Sequence, residues 1–143
     1  ILRENIEVFV GVDVSGSTMY DRVYFIGEVM GILNSYEQIK ARLIFWDASV
    51  NPKNDHMITR NNKDLLTDLK IEDCNGGTSM SCYADYCEEK NYKCRLHILM
   101  TDGYIESDPR VPQGNIIYVL TKSGDDTHLK DTGIVCRLSD VEE

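Results

Sequence analysis

An apolar run, Val8-Phe9-Val10-Gly11-Val12, stops at Asp13-Val14-Ser15-Gly16-Ser17. An unbroken run of this kind predicts a strand buried on both faces, as at the centre of a parallel sheet. The strand, read as Ile6–Val14, therefore commits the chain to an α/β architecture. Its end is equally specific. One carboxylate and two hydroxyls fall within five residues, with a glycine among them. Hard divalent cations such as Mg²⁺ and Mn²⁺ take oxygen ligands of this kind.

Strand and helix patterns then alternate. Asp21–Tyr36 reads as a helix, with Val23, Ile26, Val29, Met30 and Leu33 at helical spacing. Ala41–Trp46 reads as a second strand closed by Asp47, and His56–Thr59 as a short edge strand pairing with it. Lys63–Lys70 reads as a short helix, Asp73–Thr78 as a glycine-rich loop and Ser79–Asn91 as a second major helix. Arg95–Thr101, Asn115–Leu120 and Gly133–Leu138 read as strands, with a helical turn at Gly124–Lys130. This alternation predicts a mostly parallel sheet with helices on both faces. In such folds ligands sit beyond the carboxyl ends of strands, where the strand order reverses. Asp13 and Asp102 both follow apolar runs, and adjacent strands would bring them to one crevice.

Two more segments can complete an oxygen site: Gly76-Gly77-Thr78 and Thr101-Asp102-Gly103. Each piece also has a plainer reading. Asp13, Ser15 and Ser17 suit a helix N-cap. Thr78 suits a hydroxyl-to-backbone turn, and Asp102-Gly103 suits a simple turn. Taken together and in this order, Asp13-x-Ser15-x-Ser17, Thr78 behind a double glycine, and Thr101-Asp102-Gly103 resemble the metal-ion-dependent adhesion site of von Willebrand factor A (vWA) domains. The resemblance implies a three-layer Rossmann-like vWA fold with one antiparallel edge strand. It also implies that Ser15, Ser17 and Thr78 give hydroxyl oxygens to Mg²⁺ (or Mn²⁺, Ca²⁺), with Asp13 and Asp102 binding directly or through water. In the family, an acidic side chain of a protein partner fills the remaining position. A hard cation with few charged ligands favours such a carboxylate.

The chain of 143 residues is compact and fits one domain. It lacks the long insertions of extracellular vWA domains. It is more similar to the compact intracellular vWA-like domains of bacteria and their phages, the stretch Leu43-Ile44-Phe45-Trp46-Asp47-Ala48 before the GGT loop being the ground. That likeness implies the C-terminal part of a longer protein, in agreement with a chain that begins at Ile1. It also implies work beside a MoxR-type AAA+ ATPase.

Composition narrows the partners. A net charge of −9 argues against nucleic acid and anionic membrane. No apolar stretch reaches the ~20 residues of a membrane-spanning helix. Five cysteines, Cys74, Cys82, Cys87, Cys94 and Cys136, form no CxxC pair and read as reduced thiols in a cytoplasmic setting. A P-loop needs Lys where Ser17 stands, and a haloacid-dehalogenase-type phosphatase needs Asp where Ser15 stands. No Gly-x-Ser-x-Gly elbow is present. The expectation is a binding module and not an enzyme. The competing class, a metal-dependent hydrolase or phosphotransferase, would need a general base, and Asp47 is the only candidate. Asp47 otherwise reads as a strand-ending turn residue or an outer-shell group, Thr18 as a residue of the rim, and His97 and Trp46 as core. Glu72 and Asp73 could attract a cation, but residues of this kind usually form a solvated face.

Overall fold

The computed structural model describes residues 6–35, 39–62, 64, 66, 71 and 76–138. Strand β1 (Ile6–Asp13) lies at the centre of a six-stranded sheet. Helix α1 (Arg22–Ser35) carries the chain to β2 (Ile39–Trp46), which pairs parallel with β1, and β3 (Asp55–Thr59) turns back antiparallel on the edge. Helix α2 (Ser81–Glu89) leads to β4 (Leu96–Thr101), on the other side of β1. Strands β5 (Asn115–Leu120) and β6 (Ile134–Arg137) extend that side in parallel. The order is β3-β2-β1-β4-β5-β6. Strand order thus reverses between β1 and β4, as the sequence predicts for a binding crevice.

Alternate β1 side chains feed two cores, because successive side chains on a strand point to opposite faces. Val8, Val10 and Val12 meet Phe25, Val29 and Leu33 of α1. Phe9 joins Tyr83, Tyr86 and Cys87 of α2 on the opposite face, with Ile44, Trp46, Leu99 and Tyr118. Helices therefore cover both faces of a mixed, mostly parallel sheet. Burying each large apolar side chain of this kind contributes about 1.5–3 kcal/mol. The α1 stripe differs from the sequence reading at its start. Phe25 is buried and Val23 is 70% exposed, because a 3-10 turn (Gly16–Asp21) precedes the helix and leaves Val23 in its first, outward-facing turn. Ile26 and Met30 pack at the margin of the core.

Two predicted core residues are inside. Trp46 is fully buried, and His97 is buried with its Nδ1 2.8 Å from the Tyr83 hydroxyl. The segment Gly124–Lys130 holds a single helical turn, closed by the Lys130 amide on the Asp126 carbonyl. Most of the predicted Lys63–Lys70 helix, together with Glu72, Asp73 and Cys74, lies outside the described residues. Among the described residues no helix is long and apolar enough to cross a membrane. The four described cysteines are free thiols.

Candidate metal centre

Asp13 is the last residue of β1 and is completely buried. Its Oδ1 accepts the Ser15 amide at 2.8 Å, and its Oδ2 accepts the Thr101 hydroxyl at 2.7 Å. Both donors are neutral. Burial pushes the Asp13 carboxyl up from its ordinary value, the donors from Ser15 and Thr101 pull it part of the way back, and the charge of Asp102 pushes it up again. Neither hydrogen bond brings a positive charge to this buried carboxylate.

The hydroxyls lie beside it. Ser15 Oγ and Ser17 Oγ are 3.2 Å apart. Neighbouring oxygens of an octahedral Mg²⁺ shell are about 2.9 Å apart, and the longer Ca²⁺ bonds widen this to about 3.3 Å. The pair fits a hard cation of this size range. The 3-10 turn that presents Ser17 is locked from inside. Thr18 is fully buried, and its hydroxyl donates to the carbonyls of Asp13 at 2.7 Å and Ser15 at 3.0 Å. Thr18 is therefore a fastening of the loop and not a residue of the rim.

Asp102 follows β4 and is buried, its Oδ1 accepting the Tyr104 amide at 3.1 Å. Gly103 makes this turn possible. Its φ is +80°, and a Cβ there would overlap the Asp125 carbonyl. Asp21 shares the same field. Its carboxyl is pushed up by burial first and by Asp102 second.

Thr78 arrives on the glycine loop. Gly76 and Gly77 have φ of +77° and +75°, which only glycine adopts freely. The loop is anchored by Asp47, a role that the sequence reading does not identify. Asp47 is buried; its Oδ2 accepts the Gly76 amide at 2.7 Å and its Oδ1 the Ser49 amide at 3.1 Å. Its carbonyl accepts the Ser79 amide at 2.8 Å. Thr78 thus sits between two points fixed to the end of β2, half-buried, and its hydroxyl has no hydrogen-bond partner among the described residues. Asp13, Ser15 and Ser17 form one bonded cluster, with Asp102 electrostatically beside it. Thr78 makes no hydrogen bond to any of these four.

Glu106 closes the arrangement from the β4–β5 loop. It accepts the Met80 and Ser81 amides at 2.9 Å each and the Ser79 hydroxyl at 3.1 Å, so it caps α2 from a distance. Nothing in the local sequence signals this role. Carboxylates dominate this end of the sheet. The Cys82 thiol, pushed up to about 12, owes this first to burial and then to Asp47, Glu106, Asp85 and Asp13. Among the described residues no group of three His, Cys, Asp or Glu side chains is placed to hold a metal. Any cation here would depend on serine and threonine oxygens.

The sequence matches no family model and no curated protein. Solved structures match it in fold. BatB from Bacteroides thetaiotaomicron, a conserved hypothetical protein, is similar with a TM-score of 0.67 at 13% identity, over 93% of this chain and 90% of that one. Proximal thread matrix protein 1 from the mussel byssus gives 0.73 at 17% identity, over 94% of this chain and 44% of the other. VWA2, an ArnB paralog from Sulfolobus acidocaldarius, gives 0.54 at 11% identity, over 84% and 35%. The chain spans less than half of these last two. At such identities the likeness is one of fold: this is a vWA-like α/β domain.

Proposed function

We propose that the domain is a metal-dependent protein-interaction module. Asp13, Ser15, Ser17, Thr78 and Asp102 hold one divalent cation, Mg²⁺ or Mn²⁺, and an acidic side chain of a protein partner completes its shell. The observation that carries this reading is Asp13. It is a fully buried carboxylate held by two neutral donors, with serine hydroxyls alongside and a second carboxylate near it. A cation would supply the missing charge and replace desolvation with coordination. Hydroxyl ligands leave the ion electrophilic, which favours an incoming carboxylate over a neutral group.

The vWA-like fold supports a binding role, since these residues come from loops at the sheet's switch point. Asp47, the sequence's candidate base, spends both carboxylate oxygens on backbone amides. That occupation favours the binding module over a hydrolase. A partner within an AAA+ ATPase system and a reducing, cytoplasmic setting are the parts of this proposal that rest on the resemblance and on the thiols.

Calorimetric titration of Mg²⁺ and Mn²⁺ into the metal-free domain tests it. One saturable site, lost in Asp13→Asn while the melting transition is retained, is the expected result. Titration of an acidic peptide should then register only with metal present. Parent-like metal binding by Asp13→Asn, or no metal binding even with the peptide present, would overturn the proposal.

A further inference from the structure

Among the described residues five large apolar or aromatic side chains stand well exposed, and four of them gather at one end of the sheet. Tyr20 (87%), Val23 (70%) and Tyr24 (50%) follow β1, and Tyr104 (59%) follows β4. The candidate metal residues leave the same two strand ends. Exposed apolar surface gathered in one place marks a contact surface, whereas scattered residues do not.

The first three belong to a stripe that begins at Ser17. Residues three apart in a 3-10 turn eclipse one another. Within Gly16–Asp21, Tyr20 is therefore on the same side as Ser17, which is itself exposed. Val23 and Tyr24, three and four residues further on, carry the line into the first turn of α1. Tyr104 is held in place from two sides. Its amide donates to Asp102 Oδ1 at 3.1 Å and its hydroxyl to the Ser123 carbonyl at 3.3 Å. Asp21 feels the charge of Asp102, so the stripe and the Tyr104 turn are neighbours across the candidate metal centre.

Charge decides what these rings can receive. One divalent cation offsets two carboxylates, Asp13 and Asp102. Asp21, Asp47 and Glu106 remain at this end, and the whole chain carries −9. A uniformly acidic partner, or a second copy of this chain, is repelled. Guanidinium and ammonium groups are attracted both by the carboxylates and by the faces of the tyrosine rings, and their aliphatic stems cover apolar surface.

We infer that the partner is a basic protein segment with one acidic residue at its centre. The acidic side chain enters the metal shell, Arg or Lys side chains on either side of it lie on Tyr20 and Tyr104, and apolar side chains meet Val23 and Tyr24. This inference rests on the metal-dependent reading above and adds the chemistry of the partner to it.

The probes are three peptides, Ala-Arg-Leu-Glu-Leu-Arg-Ala and its counterparts with Ser or Glu in place of both Arg residues. Mg²⁺ is first titrated alone into the parent, Tyr20→Ser and Tyr104→Ser, and all three should bind it alike. Each peptide is then titrated calorimetrically in Mg²⁺ and in EDTA. The Arg peptide should bind about tenfold more tightly than the Ser peptide, and the Glu peptide more weakly still. Binding of the Arg peptide should vanish in EDTA or when its central Glu becomes Gln, and should fall about tenfold in each tyrosine variant. Absence of Mg²⁺ binding by the parent, with or without peptide, overturns the metal reading and this inference together. If Mg²⁺ binds, this inference alone is overturned by any of three results: no binding or equal binding of the three peptides, an Arg peptide that binds equally in EDTA, or tyrosine variants that bind it as the parent does.

Discussion

The Thr101 hydroxyl donates to Asp13 Oδ2 across 2.7 Å, joining the ends of two neighbouring strands from positions 88 residues apart. The bond supplies one of two neutral donors to a buried carboxylate. Thr101→Val keeps the shape and removes the donor. It should destabilise the metal-free domain by about 1–3 kcal/mol, the usual cost of orphaning a buried acceptor. Thr101→Ser should restore most of the loss. Urea melts of the three proteins would check this, and an unaltered midpoint for the valine variant would refute the role given to the bond.

Asp47 predicts a local effect. Replacing it with Ala removes the acceptor of the Gly76 amide and leaves the strand end intact. Hydrogen exchange at Gly76 should accelerate about 5- to 100-fold, equivalent to about 1–3 kcal/mol of lost local protection. Exchange at the β1 amides should change far less. If Gly76 exchanges at the parent rate, the glycine loop is held by something other than Asp47.

Glu106 predicts a pH dependence. Burial pushes its carboxyl up, but the Ser81 side chain and the Ser81 and Met80 amides together outweigh this, and it lies below its ordinary value of 4.5. A depressed folded value means that the ionised form is the one the fold prefers. The stabilisation is therefore complete above about 4.5 and disappears as pH falls through the lower folded value. Glu106→Gln should cost about 0.5–2 kcal/mol near neutrality, as for loss of a helix cap. The gap between parent and variant should narrow as pH falls from 6 toward 3. A gap independent of pH would mean that charge plays no part in the cap.

Two glycines should respond in opposite directions. Gly103→Ala introduces a Cβ into the Asp125 carbonyl at a φ of +80° and should destabilise by about 1–3 kcal/mol or more. Gly31 lies within α1, and a methyl group added there would meet nothing within 4 Å. Gly31→Ala should stabilise by about 0.5–1 kcal/mol through helix propensity. Thermal melts of both variants would separate a glycine required by geometry from one that merely weakens a helix.

The parts of the fold legible in the sequence are those written in local pattern. Val8 to Val12 announce a central strand because both faces are apolar, and Asp13 and Asp102 fall at strand ends because those runs stop there. The antiparallel edge at Asp55–Thr59 agrees with the short edge strand read at His56–Thr59 beside the second strand. What the pattern misses is long-range. Asp47 meets Gly76 across 29 residues, and Glu106 meets Ser81 across 25. Neither pairing has a local signature. The start of α1 escapes for a different reason: helical spacing alone does not register a 3-10 turn, so it assigns Val23 to the face that Phe25 occupies.

The central place of β1 has a consequence for how the chain reaches its native state. Its two hydrogen-bonding edges are claimed by β2 and β4, whose residues come about 30 and 90 positions later. A polypeptide leaving the ribosome can bring α1 and β2 to Val8, Val10 and Val12 early, but the other edge of β1 stays unpaired until β4, ending at residue 101, has emerged. Pairings this distant are slow to form and expose strand edges while they wait. In a nascent chain, β1 is the segment most in need of protection by a chaperone, and β4 is the strand whose arrival ends that need.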